Sequence, residues 1–294
     1  MKNNEIQYNL FEIAIESSEI RLKSERESMS VPMVSLSRTK RTKPIKWKGS
    51  KGQYVVVSAS SEYGIATIKD KDIILWICSQ LNTMVDAGNL NPERVIATTS
   101  YALLKGIGRT KGRSKKNLSG GDYKNLESAL DRLTSTVVKT NINPPKGKRK
   151  DTFQWLGGYT YHPDSGKLLL AVPEWLYRSV VTNRSILTIS PKYFTLKTNL
   201  EKWLYSIARR HGGRQQFGWT FTIDELFKRS GSQSTKSTFT FALKRIVKQN
   251  NLPEYDLALI KGQKGHDTVV FSPLNPYPSN KTFPPLPDDV TWKT

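Results

Sequence analysis

Apolar residues recur at helical spacing in three blocks of the first half of the chain, and the same three blocks return in the second half. The matching pairs are TIKDKDIILWICSQL (67–81) with TLKTNLEKWLYSI (195–207), TSYALLKGIG (99–108) with TIDELFKRSG (222–231), and LESALDRLTSTVV (126–138) with FTFALKRIVKQNN (239–251). After a one-residue gap the first pair superposes Trp76 on Trp203. Three blocks in the same order predict an internal repeat, and therefore two domains built on one plan.

The last two blocks of the second half predict two helices separated by a tight turn. Thr222 followed by Glu225 is a capping box, so a helix begins there, and Ser230 with Gly231 ends it after two turns. A second helix starts near Ser234. Its buried stripe is predicted to consist of Phe239, Ala242, Leu243 and Ile246. A short helix, a glycine turn and a longer amphipathic helix form a helix-turn-helix.

Runs typical of β-strands follow each helix-turn-helix. In the second half, YDLALI (255–260) and DTVVFS (267–272) flank the basic tip KGQKGH, which predicts a hairpin. The strand candidates of the first half are TVVKTNI (136–142), DTFQWLGGYTY (151–161) and KLLLAV (167–172), with KGKRK (146–150) in the loop of the wing. The pattern predicts an α+β fold of two tandem winged-helix domains, each a helix-turn-helix with a β-hairpin wing.

These patterns divide the chain into four parts. The predicted parts are an N-terminal tail with a short helix in NLFEIAIESSEIRL (1–29), a first winged-helix domain with a basic arm at 37–51 and an enlarged basic loop at 109–118 (30–180), a second winged-helix domain (181–275), and a Pro-rich C-terminal tail (276–294). Proline excludes a regular helix or a central strand from the last part, so a flexible tail is expected there.

The charge of the chain points to a polyanionic partner. The 294 residues include 46 Lys and Arg but only 25 Asp and Glu, for a net charge of +21. Basic residues exceed acidic ones in both predicted domains but not in residues 1–29. Two helix-turn-helix units together with such a field favour binding to double-stranded DNA over a merely structural three-helix unit.

The second predicted recognition helix presents a polar face without acids. The residues that face away from its apolar stripe are Ser237, Thr240, Phe241, Lys244 and Lys248. Side chains near the start of such a helix reach base edges in the major groove. The candidates for base readout are Gln233, Ser234, Lys236, Ser237, Thr240 and Lys244.

Other cations are better placed for phosphate, where contacts position the protein without specifying a sequence. They lie in the arm, the enlarged loop, the first helix-turn-helix, the first wing, the end of the second leading helix and the second wing. The candidates are Arg38, Lys40, Arg41, Lys43, Arg109, Lys111, Arg113, Lys115, Lys116, Lys124, Lys146, Lys148, Arg149, Arg209, Arg210, Lys261 and Lys264. The arm is predicted to enter a minor groove or to follow the backbone, with a solvated linker as the alternative.

The corresponding helix of the first domain differs in charge. Its outward positions are Lys124, Glu127, Ser128 and Asp131. Two carboxylates face phosphates unfavourably, although they can accept from cytosine amino groups. Weaker DNA binding, or a protein contact such as a homodimer, is an equally good interpretation of this face.

Several classes of protein are disfavoured. Cys78 lies among apolar residues, which predicts a buried thiol, and a single cysteine forms no disulfide within the chain. No apolar run approaches the ~20 residues that span a bilayer, and the first residues do not resemble a signal peptide. We therefore expect a cytoplasmic protein with no membrane partner.

The chain also lacks recognisable catalytic patterns. His162, His211 and His266 are isolated, and GIGRTKGRSKK (106–116) lacks the Gly-Lys-Ser/Thr ending of a phosphate-binding loop. The sequence shows no tight cluster of Asp and Glu residues of the kind that a two-metal nuclease needs. We expect no enzyme activity, no catalytic residue, no metal, no cofactor and no small-molecule substrate.

Long stretches of the chain resemble the replication initiator protein A family of bacterial plasmids. These stretches are SLSRTKRTKPI (35–45), ATIKDKDIILW (66–76), LEKWLYSIARRHGG (200–213), GWTFTIDELFKRSGS (218–232) and ALKRIVKQNNLPEY (242–255). The resemblance implies an initiator that binds directly repeated origin sites, helps to open an adjacent A+T-rich region and recruits host replication proteins such as the helicase.

Two other functions fit the same domains and charge. A transcriptional regulator or autorepressor has the same architecture, and only the behaviour of the gene in a plasmid separates it from an initiator. A nucleoid protein predicts affinity with little sequence preference and a steep salt dependence.

Overall fold

The structure, a computed structural model, describes residues 12–13, 20–110, 114, 117–142, 150–163, 165–213, 215, 218–262 and 265–274. The strands are β1 (Glu12–Ile13), β2 (Lys23–Glu25), β3 (Ile45–Lys48), β4 (Tyr54–Ser58), β5 (Val95–Thr99), β6 (Val137–Thr140), β7 (Asp151–Gln154), β8 (Gly158–His162), β9 (Lys167–Ala171), β10 (Ile186–Thr188), β11 (Trp219–Thr222), β12 (Tyr255–Lys261) and β13 (Asp267–Pro273). The α-helices are α1 (Lys71–Asp86), α2 (Ser100–Gly106), α3 (Gly120–Ser135), α4 (Glu174–Tyr177), α5 (Asn199–Gly212), α6 (Ile223–Ser230) and α7 (Lys236–Gln249). The fold is mixed α and β.

The C-terminal half, residues 181–274, contains the predicted helix pair and hairpin. The N-cap at Thr222 is confirmed, because its hydroxyl accepts from the Glu225 amide at 3.2 Å. The returning half of the capping box is not formed; the Glu225 carboxylate accepts from Arg229 instead. The second helix is capped by Thr235, one residue beyond the predicted start. Strands β12 and β13 form the predicted hairpin, and β11 completes a sheet of order β11-β13-β12.

The N-terminal half, residues 30–180, repeats this order of elements with an insertion. Strand β5 pairs with β9, and β9 pairs with β8, which gives the order β5-β9-β8 beside α1, α2 and α3. The hairpin that corresponds to β12 and β13 is therefore β8 and β9. The hairpin of β6 and β7 is additional, and it joins β3 and β4 in a separate sheet of order β3-β4-β6-β7.

This pairing corrects two predictions for the first half. The run DTFQWLGGYTY is not one strand: it breaks at residues 155–157, where Trp155 is fully buried, and its two ends belong to different sheets. KGKRK (146–150), predicted in the loop of the wing, falls in the sequence between β6 and β7, which are the additional hairpin. Residues 146–149 lie outside the described part of the chain.

The predicted N-terminal tail is also corrected. Residues 23–25 form β2, which pairs antiparallel with β10, and Met29 is buried in the core of the C-terminal half. Within the segment predicted as a short helix, Glu12–Ile13 is a strand parallel to β5. The alternation of Phe11, Ile13 and Ile15 in the sequence agrees with a strand. The rest of residues 1–19 lies outside the described part.

Two hydrophobic clusters form the core, one in each half, and the leading helices α1 and α5 lie between them. Thirteen of the sixteen residues of α1 are buried, and Leu75 belongs to the cluster of the other half. Polar contacts join the halves as well: Lys202 forms an ion pair with Asp72 across the two helices, and Arg229 donates to the Ser30 carbonyl. The halves are thus packed through helices rather than joined by a free linker.

His211 near the end of α5 is held neutral by its surroundings. Its ring packs against Trp219 and Phe221 at centroid distances of 5.7 and 5.1 Å. Burial, together with the nearby charges of Arg229 and Arg210, lowers the pKa of His211 to about 4. Its Nε2 atom is buried without a hydrogen-bond partner among the described residues.

We expect the stability of the protein to fall as the pH drops from about 6.5 to about 4, in part because of His211. In this window the unfolded chain binds a proton at His211 and the folded chain does not, so acid favours unfolding. His211→Phe should reduce, by on the order of 1–2 kcal/mol, the difference between the free energies of unfolding measured in urea at pH 7 and at pH 4.5. His162→Phe, at an exposed position on β8, is the control. If the His211 variant lost as much free energy of unfolding between pH 7 and pH 4.5 as the wild type, the assignment to His211 would be contradicted.

Candidate nucleic-acid interface

Helix α7 presents the exposed face that the helical wheel predicts. Phe239, Leu243 and Ile246 are buried against the core of the C-terminal half. The opposite side carries Ser237, Phe241, Lys244 and Lys248, all exposed. None of these four residues is acidic, so α7 itself places no carboxylate on this face.

The segment before α7 brings further candidates to the same end of the helix. Gln233 and Ser234 are exposed, and the Ser232 and Ser234 hydroxyls lie 2.9 Å apart in the turn. Lys236 is exposed and pairs with Asp224 at the start of α6 at 2.6 Å. Thr240 is half-buried, which makes it the least accessible of the residues predicted for base readout.

One carboxylate connects this helix to the hairpin. Asp267 at the start of β13 accepts from Lys244 of α7 and from Lys261 at the end of β12. The two lysines hold the pKa of Asp267 at about 2. Lys244 of the helix and Lys261 of the hairpin thus lie on one surface. Lys264, also predicted for phosphate contact, lies outside the described residues.

Sequence reasoning missed Phe241 as a site residue. Its side chain is 72% exposed at the middle of the outward face, between Ser237 and Lys244. Phenylalanine is among the residues that contact the thymine methyl group in the major groove, so an exposed ring on this face is a candidate base contact. The helical spacing of the sequence does place Phe241 on the side opposite the apolar stripe, and this was the available signal.

Arg41 does not face a phosphate site. The sequence predicts a phosphate contact there, but the side chain is only 8% exposed. Its guanidinium donates to the carbonyls of Gly231 and Lys43 at 2.5 and 3.0 Å. Gly231 is the αL residue of the turn between α6 and α7, and an added Cβ would lie 2.8 Å from Pro32. Arg41 therefore fastens the second helix-turn-helix to residues 32–45.

Arg209 and Arg210 also make internal contacts. Arg209 Nε donates to the Thr188 carbonyl at 2.7 Å, and Arg210 pairs with Glu27 at 3.3 Å. Both contacts tie α5 to the small sheet of β2 and β10 and the residues beside it. The two arginines are better explained as part of the fold than as phosphate contacts.

The predicted basic arm is a fixed part of the fold. Ile45 is buried, and β3 pairs with β4 over residues 45–48. Arg38, Lys40 and Lys43 remain exposed on the segment that precedes β3, so their predicted access to phosphate is retained. We call residues 37–43 the basic strap, because contacts hold this segment on both sides.

In the N-terminal half, α3 carries the predicted outward residues. Lys124, Glu127 and Ser128 are exposed, whereas Asp131 is half-buried and accepts from the Tyr159 hydroxyl of β8 at 2.8 Å. Arg109, at the start of the enlarged loop, donates to the Lys69 carbonyl at 2.6 Å. The other predicted cations of this loop lie outside the described residues: Lys111, Arg113, Lys115 and Lys116.

The described residues contain no group of three or more His, Cys, Asp or Glu side chains that would hold a metal ion. Cys78 is buried as predicted, and burial raises the pKa of its thiol to about 12. Within the described part of the chain, none of the helices is both long enough and apolar enough to span a bilayer.

Comparison with known proteins places the chain among replication proteins. The family model described as Replication initiator protein A matches residues 23–257. A protein of Wigglesworthia glossinidia brevipalpis named "Putative replication protein" is 32% identical over 213 residues, which cover 70% of this chain and 74% of that protein.

Solved structures share the fold. The crystal structure of domains 2 and 3 of RctB superposes with a TM-score of 0.56 at 15% identity, over 85% of this chain and 98% of that one. A second crystal structure of the same RctB domains gives a TM-score of 0.51 at 17% identity, over 82% and 94% of the two chains.

Proposed function

The chain belongs to the replication initiator protein A family, and from that premise we propose that it is a double-stranded DNA-binding protein that initiates plasmid replication at repeated origin sites. The observation that carries the proposal is the face of α7, which is exposed, polar and free of acids and which Asp267 connects to the cations of the hairpin. Such a protein needs no catalytic group, metal or cofactor of its own.

We infer that each half is a winged helix. In both halves a leading helix and a strand precede a helix-turn-helix, and the first strand pairs with the second strand of the following hairpin. Helix α7 is then the recognition helix of the second unit and β12–β13 its wing, while α3 and β8–β9 occupy these positions in the first. The recognition helix of a helix-turn-helix lies in the major groove.

We assign base readout to the exposed start and outward face of α7. The assigned residues are Gln233, Ser234, Lys236, Ser237, Thr240, Phe241 and Lys244. Phosphate contacts are assigned to the basic strap through Arg38, Lys40 and Lys43, to the wing through Lys261 and Lys264, and to the basic loops of the first half.

The remaining steps of initiation are proposed on the family premise alone. They comprise opening of an A+T-rich region, recruitment of a host helicase or initiator, and formation of a homodimer. The cellular location that follows is the bacterial cytoplasm, on DNA. Residues 276–294 are a candidate docking segment for a host protein, and they lie outside the described part of the chain.

A plasmid assay tests the proposal directly. The gene and its flanking DNA are placed on a plasmid without another origin, and transformants are counted in a host that lacks other initiators. Replication supports the proposal. Footprints of the pure protein on the flanking DNA without replication would favour a transcriptional regulator, and binding without sequence preference would favour a nucleoid protein.

Lys236→Ala should reduce preference for the specific site by about 10-fold, because a lysine near the start of α7 reaches base edges. Thr240→Ala should have a smaller effect, since that side chain is half-buried. Titrations of fluorescent specific and random duplexes give the ratio of affinities. Lys248→Ala, which removes the same charge at the far end of the helix, is the control. Equal loss on both duplexes from Lys236→Ala would refute base readout by this residue.

A further inference from the structure

An open cleft of about 730 Å³ lies beside α3, on the side away from β8. Its walls come from four separate parts of the chain: the basic strap, the residues that begin α1, the helices α2 and α3 of the first helix-turn-helix, and the residues that precede α5. The cleft is therefore lined by both halves of the molecule.

The lining of this cleft is strongly basic. Its cationic side chains are Arg38, Lys40, Lys69, Arg109, Arg132 and Lys197, against two carboxylates, Asp70 and Asp122. Both carboxylates have internal partners: Asp70 is buried and accepts from Arg132, while Asp122 forms a capping box with Ser119. Lys69 and Lys197, one from each half of the chain, are exposed residues of the lining. The charge of the cleft thus favours an anion, and its volume of about 730 Å³ has room for more than one small ion.

Helix α3 has two polar faces, and they line two different concave sites. Lys124 and Glu127 line a separate groove against the tyrosines of β8, where Asp131 is also held by Tyr159. Asn125 and Arg132 line the basic cleft. Seven residues separate these two, which places them on one side of the helix. Glu127 and Asp131 are therefore turned away from the cleft, whereas Asp122 lines it and is held in the capping box with Ser119.

The basic strap connects this cleft to the second helix-turn-helix. Arg41 donates to the Gly231 carbonyl in the turn before α7, and its own carbonyl accepts from the Ile65 amide at 2.8 Å. Arg38 and Lys40 precede this anchor and line the cleft. The segment that carries Arg38 and Lys40 thus connects the cleft to the turn that precedes α7.

We propose that the cleft holds the sugar-phosphate backbone of the duplex that α7 reads, with Lys69 and Lys197 on phosphates and Asn125 on a base edge. This inference rests on the proposed function and extends it: the first half also contributes sequence recognition, through the Asn125 side of α3. Asparagine contacts adenine through its N6 and N7 atoms in the major groove, so adenine is the expected base.

The phosphate contacts are tested with the double variant Lys69→Ala/Lys197→Ala. The probe is a duplex that the wild-type protein selects from a random-sequence pool. Removing two phosphate contacts should reduce the slope of log affinity against log salt by about 2 and weaken binding roughly 30-fold near 0.15 M salt, on selected and random duplexes alike. The matched control is Lys139→Ala/Lys192→Ala, which removes two exposed lysines that do not line the cleft.

The base contact is tested with Asn125→Ala. The loss should be roughly 10-fold on the selected duplex and should disappear when one A·T pair of the site is replaced. Glu127→Gln, on the other face of α3, should retain the preference of the wild type. Thermal unfolding of each variant checks that the fold is intact.

The outcomes separate this inference from the proposed function. If the wild-type protein selects no duplex, the proposed function fails. If the wild type selects a site and Lys236→Ala weakens it, but the Lys69/Lys197 and Asn125 variants match their controls, the function stands and the cleft is not part of the interface.

Discussion

Replacing Lys202 with Met should lower the free energy of unfolding by about 3–5 kcal/mol, because it leaves a buried carboxylate without its cation. This is the largest loss of stability that we expect from a single substitution. Lys202 Nζ lies 2.7 Å from Asp72 Oδ2, and the two side chains are 6% and 4% exposed. The ammonium also lies 4.3 Å from the centroid of the Tyr193 ring. Methionine fills a similar volume but leaves the Asp72 carboxylate buried without its cation.

The loss in this variant should grow as the pH rises. Burial raises the pKa of Asp72 even with Lys202 in place, and removing the cation raises it further. The folded variant then keeps a proton that the unfolded chain releases, so stability decreases as the pH increases above the ordinary pKa of an aspartate. Urea unfolding at pH 5 and pH 8 measures this difference.

The matched control is the double variant Lys202→Met/Asp72→Asn, which removes both charges. It should recover most of the lost stability, because a buried pair is costly to break but often neutral to replace as a whole. A single variant that loses less than about 1 kcal/mol, or a double variant no better than the single one, would show that the ion pair does not hold the two halves together.

The local elements of this fold were predictable from the sequence. Caps, glycine turns and apolar spacing act within a few residues, and they located α6, α7 and the hairpin of β12 and β13 to within one or two positions. The alignment of the two halves compares such local patterns, and it therefore predicted the order of helices and strands that the halves share.

Strand pairing in the first half was not predictable in this way. Strands β7 and β8 are separated by only three residues, yet they belong to different sheets. Their partners β6 and β9 are equally rich in β-branched or apolar residues, and no local signal specifies which strand pairs with which. The sequence pattern therefore assigned the wing of the first half to the additional hairpin of β6 and β7.

The roles of individual cations depend on their three-dimensional neighbours. Arg41 and Lys40 are adjacent in a segment that contains basic residues but no acid. Arg41 is buried against the turn at Gly231, whereas Lys40 is exposed. Composition measures the charge of such a segment but not which carbonyls its side chains reach. The same limit applies to α3, where the wheel identified exposed positions but not that Asp131 meets Tyr159.

Phe241→Asp should abolish site-specific DNA binding without destabilising the protein. The ring is 72% exposed, so its removal creates no cavity and takes apolar surface out of water. In the proposed complex, the new carboxylate would face the major groove between Ser237 and Lys244, among phosphates. Like charges placed together at an interface cost several kcal/mol, and the thymine contact is lost as well. We expect the affinity for the selected duplex to fall at least about 100-fold, or about 3 kcal/mol.

The comparison with Tyr161→Asp makes this prediction specific to α7. Tyr161 is also an exposed aromatic residue, at 49%, but it lies on β8 in the groove that Glu127 lines. The two variants change the charge equally, so a general effect of net charge would weaken both. Phe241→Ala should lose about 10-fold, which separates the missing contact from the added charge. Equal affinities of the Phe241→Asp and Tyr161→Asp proteins in fluorescence titrations would remove α7 from the recognition surface.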